Sequence, residues 1–233
     1  NIAYLSDLKA LSPNASLGAI YTPVRNLDLK ATISYAENAP SFSQLYWPFM
    51  GNPNLKTEKG LNGELGLETK WKAISFEGVV FGRNIYNAIV NDSSWIPQNI
   101  AHGVYLGTEQ SLNLELSNIF NIQASYLYNK SFDLSAGKTF SDNVEVTGIR
   151  KHTVKGSLFL TLDRFESVLS TEYLGKSSTL DSALLLNLSV TMQVSKALRA
   201  YLAVDNLLNT DYELVSGYPM PGTKIRLGGT LRF

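Results

Sequence analysis

The stretch Ser182–Val194, "SALLLNLSVTMQV", alternates with a period of two. Leu184, Leu186, Leu188, Val190, Met192 and Val194 fall on one side, and Leu185, Asn187, Ser189, Thr191 and Gln193 on the other. Successive side chains of an extended chain point to opposite faces, so this pattern predicts a strand with one apolar and one polar face. Helical spacing accounts for it less well.

The same reading extends outward along the chain. "FNIQASYLYN" sets Phe120, Ile122, Ala124, Tyr126 and Tyr128 against Asn121, Gln123, Ser125, Leu127 and Asn129. "LNGELGLETKW" sets Leu61, Leu65, Leu67 and Trp71 against Asn62, Glu64, Glu68 and Lys70. Alternation recurs at 15–21, 27–35, 106–116, 154–162, 198–205 and 223–233, and is less clean at 73–86 and 165–174. About eleven strands result, many of them near the roughly 9–11 residues that cross a bilayer at a tilt.

The connections alternate too. "TPVRN", "KWKA", "SNI", "DR" and "SK" are short, whereas 36–60, 87–103, 132–150, 175–182 and 206–221 are long. Short turns at one end and large loops at the other are the layout of an outer-membrane barrel. The first strand leads into a short turn, so odd-numbered strands descend to the periplasm and the eleventh brings Phe233 to the periplasmic rim. A soluble β-sandwich also alternates, but its strands run about 5–6 residues. Its core faces are apolar, whereas Glu64, Glu68, Lys70, Glu109 and Glu115 fall on the inward faces here.

Composition agrees with a barrel. Charged residues make up 17% of the 233, against roughly 25% in ordinary soluble domains. No stretch approaches the roughly 20 apolar residues of a membrane helix. Net charge is zero with a pI near 6.9, which gives no electrostatic case for nucleic acid. The absence of cysteine removes disulfides and thiolate metal sites. The N-terminal "NIAYLSDLKA" lacks the basic start and apolar run of a signal peptide, so an exported protein would begin upstream of it.

Three segments carry a family resemblance. "ENAPSFSQLYWPFMGNPNLKTEKG" (Ala39, Pro40, Ser41, Leu45, Tyr46, Gly51 to Lys56, Glu58), "VDNLLNTDYELVSGYPMPG" and the aromatic-ended "KIRLGGTLRF" resemble the C-terminal part of a TonB-dependent outer-membrane receptor. Asn38 stands where that family often has arginine, and Thr57 where proline is commoner. The resemblance implies an all-β, antiparallel transmembrane barrel. The eleven strands would form residues 1–233 of a 22-stranded wall, with the plug domain, its TonB box and the earlier strands lying outside this stretch. It implies TonB-dependent uptake of a scarce nutrient across the bacterial outer membrane. The partners are then membrane lipid, the TonB complex acting through the plug, an extracellular ligand and the barrel-assembly machinery. "SGYPMPG" is closer to cobalamin receptors, with ferric siderophores or haem as alternatives. Ile225, Leu227, Leu231 and Phe233 would form the assembly signal. A self-contained small barrel, porin-like or a hydrolase, is the competing reading.

Little in the sequence points to catalysis, a cofactor or a metal. His102 and His152 stand apart from any metal-type spacing, and no Gly-x-Ser-x-Gly elbow or phosphate loop occurs. Loop aromatics are better candidates. Tyr46, Trp47, Phe49, Trp95, Tyr212 and Tyr218 could give a large, rigid ligand contact area at small entropic cost. Trp71 and Tyr173 are read as membrane-interface girdle, and Trp47 and Trp95 fit either role.

Overall fold

In a computed structural model of the chain, residues 2–5, 10–92, 94–99 and 102–232 are described. β1 (Ile2–Leu5) and β2 (Ala10–Pro13) form a short hairpin. After it come β3 (Ala15–Val24), β4 (Leu27–Asn38), the one-turn helix α1 (Phe42–Tyr46), β5 (Glu58–Trp71) and β6 (Ile74–Tyr86). A loop hairpin of β7 (Ile89–Asn91) and β8 (Pro97–Asn99) precedes β9 (His102–Glu115), β10 (Phe120–Asp133), β11 (His152–Leu162) and β12 (Phe165–Leu174). β13 (Ala183–Gln193), β14 (Leu198–Asp205), a second loop hairpin of β15 (Glu213–Val215) and β16 (Tyr218–Pro219), and β17 (Lys224–Leu231) complete the order.

Eleven of these strands join one sheet in the order β17-β14-β13-β12-β11-β10-β9-β6-β5-β4-β3, each antiparallel to its neighbour. It is an uninterrupted meander, and its edges are β3 and β17. Among the described residues no helix is long and apolar enough to cross a membrane; the crossing elements of a barrel are its strands.

Register carries one facing around the whole sheet. Glu68 pairs with Glu77, Glu77 with Ser111, Ser111 with Ser125, Ser125 with Lys155 and Lys155 with Glu172. On the opposite face Leu188 lies between Leu169 and Val204. Leu186 and Val190 share that apolar face with Phe120, Ile122 and Tyr126, and Asn187, Ser189, Gln123 and Glu115 share the polar one. The two stretches with unclear alternation now have a facing. In β6, Phe81 pairs with Gly107 on the polar face, and its ring occupies the space a Cβ at 107 would need. In β12, Phe165, Leu169 and Tyr173 take the apolar face.

Several strands run further at the long-loop end than the alternation indicates: β5 starts at Glu58, β9 at His102, and β10 continues to Asp133. There the loops cover both faces, and Val104, Ser131 and Phe132 are all buried. Period two reports a strand with unlike surroundings on its two sides, so it fades where both sides meet protein.

Candidate ligand-binding site

The described residues of the five long loops, 39–57, 87–101, 134–151, 175–182 and 206–223, lie at one end of the sheet. Local chemistry fixes the first. Ser41 caps α1: its hydroxyl accepts from the Gln44 amide (3.2 Å), and the Gln44 side chain accepts from the Ser41 amide (2.8 Å). Leu45 on the helix and Leu55 after the following turn are buried. At Gly51 a Cβ would meet Trp47 N, Leu45 O and Tyr46 N at 2.6–2.8 Å, so only glycine fits. The Asn52 amide nitrogen Nδ2 reaches Pro97 O in the second loop (2.9 Å). Asn99 joins the same two loops, accepting from Lys56 N (2.8 Å) and donating to Asn87 O (2.6 Å). Glu58 closes the base, accepting from Ile89 N (2.6 Å) and from Asn38 Nδ2 (2.9 Å). Asn38, placed where arginine is frequent, is thus tied to this carboxylate.

Asparagines organise the last loop. Asn206 and Asn209 both adopt left-handed backbone, with φ of 52° and 49°. Asparagine tolerates this region because its short side chain bonds the nearby backbone. Asn206 Oδ1 accepts from Thr210 N (2.9 Å), its Nδ2 donates to Thr210 O (2.9 Å), and its own amide donates to Asn187 Oδ1 (2.8 Å). Asn209 Oδ1 accepts from Thr223 N at 3.0 Å. A Cβ on Gly222 would sit 2.4 Å from that same oxygen, which accounts for the glycine of "YPMPG".

Arg150 ties three loops together. Its guanidinium donates to Gly175 O, Asp181 O (2.8 Å) and Glu213 O (2.8 Å), so the third loop holds the fourth and fifth. No local sequence pattern signals such a residue, because all its acceptors are distant carbonyls.

The second to fifth loops border an open cavity of about 610 Å3. Trp95, Val146, Ile149, Leu180 and Val215 give it apolar wall, and Asp92, Asp133 and Glu145 also line it. Asp92 Oδ1 accepts from Ser94 N and Ile96 N. Lys138 lies 2.6 Å from Asp133, and Lys151 2.7 Å from Glu145. The Glu145 carboxylate holds the Lys151 ammonium above the usual lysine range. Asp142 stands below the usual carboxylate range because the Thr139 amide and hydroxyl donate to it.

The six aromatic candidates take different places. Trp95, on the cavity wall, meets Tyr218 edge to face, with ring centroids 5.4 Å apart. Tyr46 packs against Phe42 at 4.9 Å, and Trp47 and Phe49 project from the first loop, Phe49 fully exposed. Tyr212 turns inward onto buried Leu174, Ala183 and Leu185. Trp71 and Tyr173 lie exposed on the apolar face. Ile225, Leu227 and Leu231 are exposed on the apolar face of β17, and Phe233 lies outside the described residues. Both histidines stack on tyrosines, His102 on Tyr86 (4.4 Å) and His152 on Tyr126 (6.1 Å). Among the described residues no three metal-ligating side chains gather.

Below the cavity the polar face holds lateral ion pairs: Lys30 with Glu68 and Glu77, Lys155 with Glu172, Arg199 with Glu166, and Arg226 with Asp205. Tyr201 also faces this side, its ring filling the space beside Gly228.

Comparison with known proteins returns one family model, described as TonB dependent receptor-like, beta-barrel, matched over residues 4–207. The vitamin B12 transporter BtuB of Vibrio vulnificus is 24% identical over 208 residues, which are 85% of this chain and 33% of that protein. The chain therefore spans about a third of that relative's length. Among solved structures, the copper transporter OprC superposes with a TM-score of 0.78 at 15% identity, over 96% of this chain and 40% of its own. The siderophore receptor PirA from Pseudomonas aeruginosa gives 0.74 at 21% identity, over 99% and 41%.

Proposed function

The chain belongs to the TonB-dependent receptor-like β-barrel family, and on that premise we propose that it is the C-terminal part of the barrel wall of a receptor in the bacterial outer membrane. The receptor takes up a scarce nutrient through the polar lumen, with TonB acting on a plug supplied by another part of the protein. The observation that carries this reading is the loop cavity standing over a polar face lined with ion pairs. A ligand enters from the loop end, and the wall presents polar groups to whatever fills the lumen.

Two open edges support further strands in the complete wall. Hydrocarbon cannot hydrogen-bond the free backbone groups of β3 and β17, so further strands must pair with them. The strands of this chain suffice for half of a 22-stranded ring. Long loops then face outward and short turns face the periplasm, with lipid against Leu186, Leu188 and Val190. Ile225, Leu227, Leu231 and Phe233 form the strand end read by the barrel-assembly machinery.

Cobalamin is the favoured ligand, from the "SGYPMPG" loop and from the similarity to vitamin B12 transporters. Ferric siderophores and haem are the alternatives. The test is uptake by cells carrying the full-length gene, with and without functional TonB. Uptake of labelled cobalamin that vanishes when TonB is removed is the expected result. Uptake that continues without TonB would replace this reading with a passive porin.

A further inference from the structure

Resting on that uptake reading, we infer that the loop cavity selects ligands by charge: it admits neutral or cationic molecules with an apolar face, and rejects polyanionic chelates. The inference starts from which charged groups reach the cavity wall. Three carboxylates do, those of Asp92, Asp133 and Glu145, and among the described residues no lysine or arginine lines it.

The cations of the third and fourth loops are engaged or lie off the wall. Lys138 and Lys151 are occupied by Asp133 and Glu145 at 2.6 and 2.7 Å, whereas Lys176 is an exposed side chain that does not line the cavity. Arg150 directs its guanidinium at three carbonyls of the neighbouring loops. An anion entering the cavity would have to break the contacts of Lys138, Lys151 or Arg150 to gain a cation at the wall. In doing so it would leave a partly buried carboxylate or a set of loop carbonyls unpaired, which is costly. Asp92 is held by two backbone amides rather than by a cation, so it adds uncompensated negative charge. The rest of the wall, including Trp95, Leu180 and Val215, offers contact area without charge. A neutral ligand with an apolar surface meets none of these costs. A trianionic iron chelate meets all of them.

Charge selection can be read without knowing the natural ligand. The chain has no cysteine, so Val215→Cys in the full-length receptor, with any cysteine elsewhere changed to serine, places one thiol on the wall. Its reaction rates with cationic trimethylammonium-ethyl and anionic sulfonatoethyl methanethiosulfonate are compared, each normalised to a free thiol. The expected normalised preference is about fivefold for the cation, shrinking as salt rises. A ratio of one, or preference for the anion, would overturn the inference. A second arm measures protection of the introduced thiol by vitamin B12 and by a ferric tris-catecholate, with and without Leu180→Lys. Protection by the tris-catecholate should need the added lysine; protection equally strong without it would also overturn the inference. Thiol rates do not depend on TonB, so transport that proves TonB-independent would sink the uptake reading and leave this one standing.

Discussion

Replacing Arg150 with glutamine tests whether the cavity is held together by one guanidinium. The arginine is half-buried and makes three hydrogen bonds to main-chain oxygens of two other loops. A hydrogen bond involving a charged group contributes about 1.5–3 kcal/mol when buried. Glutamine keeps one donor group but cannot span three acceptors. One of the three contacts is also solvent-exposed, which lowers its worth. A net loss of about 2 kcal/mol in loop docking is then reasonable, or roughly a thirtyfold rise in the open population at 1.36 kcal/mol per decade. Hydrogen exchange of the full-length receptor in detergent measures this directly. The amides of Ser177, Leu207 and Met220, each bonded within or beside these loops, should lose protection by about that factor. Strand amides such as Ser189 should not change. Equal protection at all the loop amides in both proteins would refute the claim that Arg150 holds the site.

Other perturbations separate the parts of the structure. Arginine at Leu188 should cost about 2–4 kcal/mol if the site lies near the bilayer midplane, and arginine at Asn187 much less; equal costs in a refolding titration would reverse the assigned faces. Gly51→Ala should displace the first loop, since three backbone atoms block its Cβ, and cost about 1–3 kcal/mol; cleavage by added protease between 41 and 57 should accelerate while barrel heat resistance is kept. Asp142 has a lowered pKa, so its contribution to the turn at Thr139–Asn143 is complete above the ordinary aspartate range and is lost as pH falls through the lowered value. The Asn143 amide should exchange faster than the intrinsic pH dependence dictates only under those acidic conditions; loss of protection already at neutral pH would contradict the assignment. Deleting Phe233 from the full-length protein should leave precursor in the periplasm, while barrels that do assemble keep nearly normal heat resistance. Unchanged assembly kinetics would reduce Phe233 to a girdle residue.

The strands were legible because each sheet face meets a different surrounding, and period two records that difference in almost every run. Legibility failed where the surroundings are alike. Leu185 belongs to the polar face by register, yet it is buried with Leu174 and Ala183 beneath Tyr212. Phe81 breaks the polar run of β6 because Gly107 leaves room for its ring. The motifs of the first and last loops were visible as words, and the structure supplies their grammar: a capping box, a steric glycine and two left-handed asparagines. The cavity was only partly legible. Trp95 and Tyr218 were identifiable as loop aromatics, but their meeting depends on the path of two separate loops. Arg150 and the three wall carboxylates carry no spacing signature.

The ion pairs of the polar face have a mechanical consequence. Lys155, Arg199 and Arg226 are each matched by one carboxylate on a strand of the same sheet and Lys30 by two, so these cations are held sideways within the wall. Cations paired in this way have little long-range grip on anything beside them, because the fields of opposite neighbours cancel within a few ångströms. On the proposed reading, a pull on whatever fills the lumen would meet these paired cations only as short-ranged contacts with the wall.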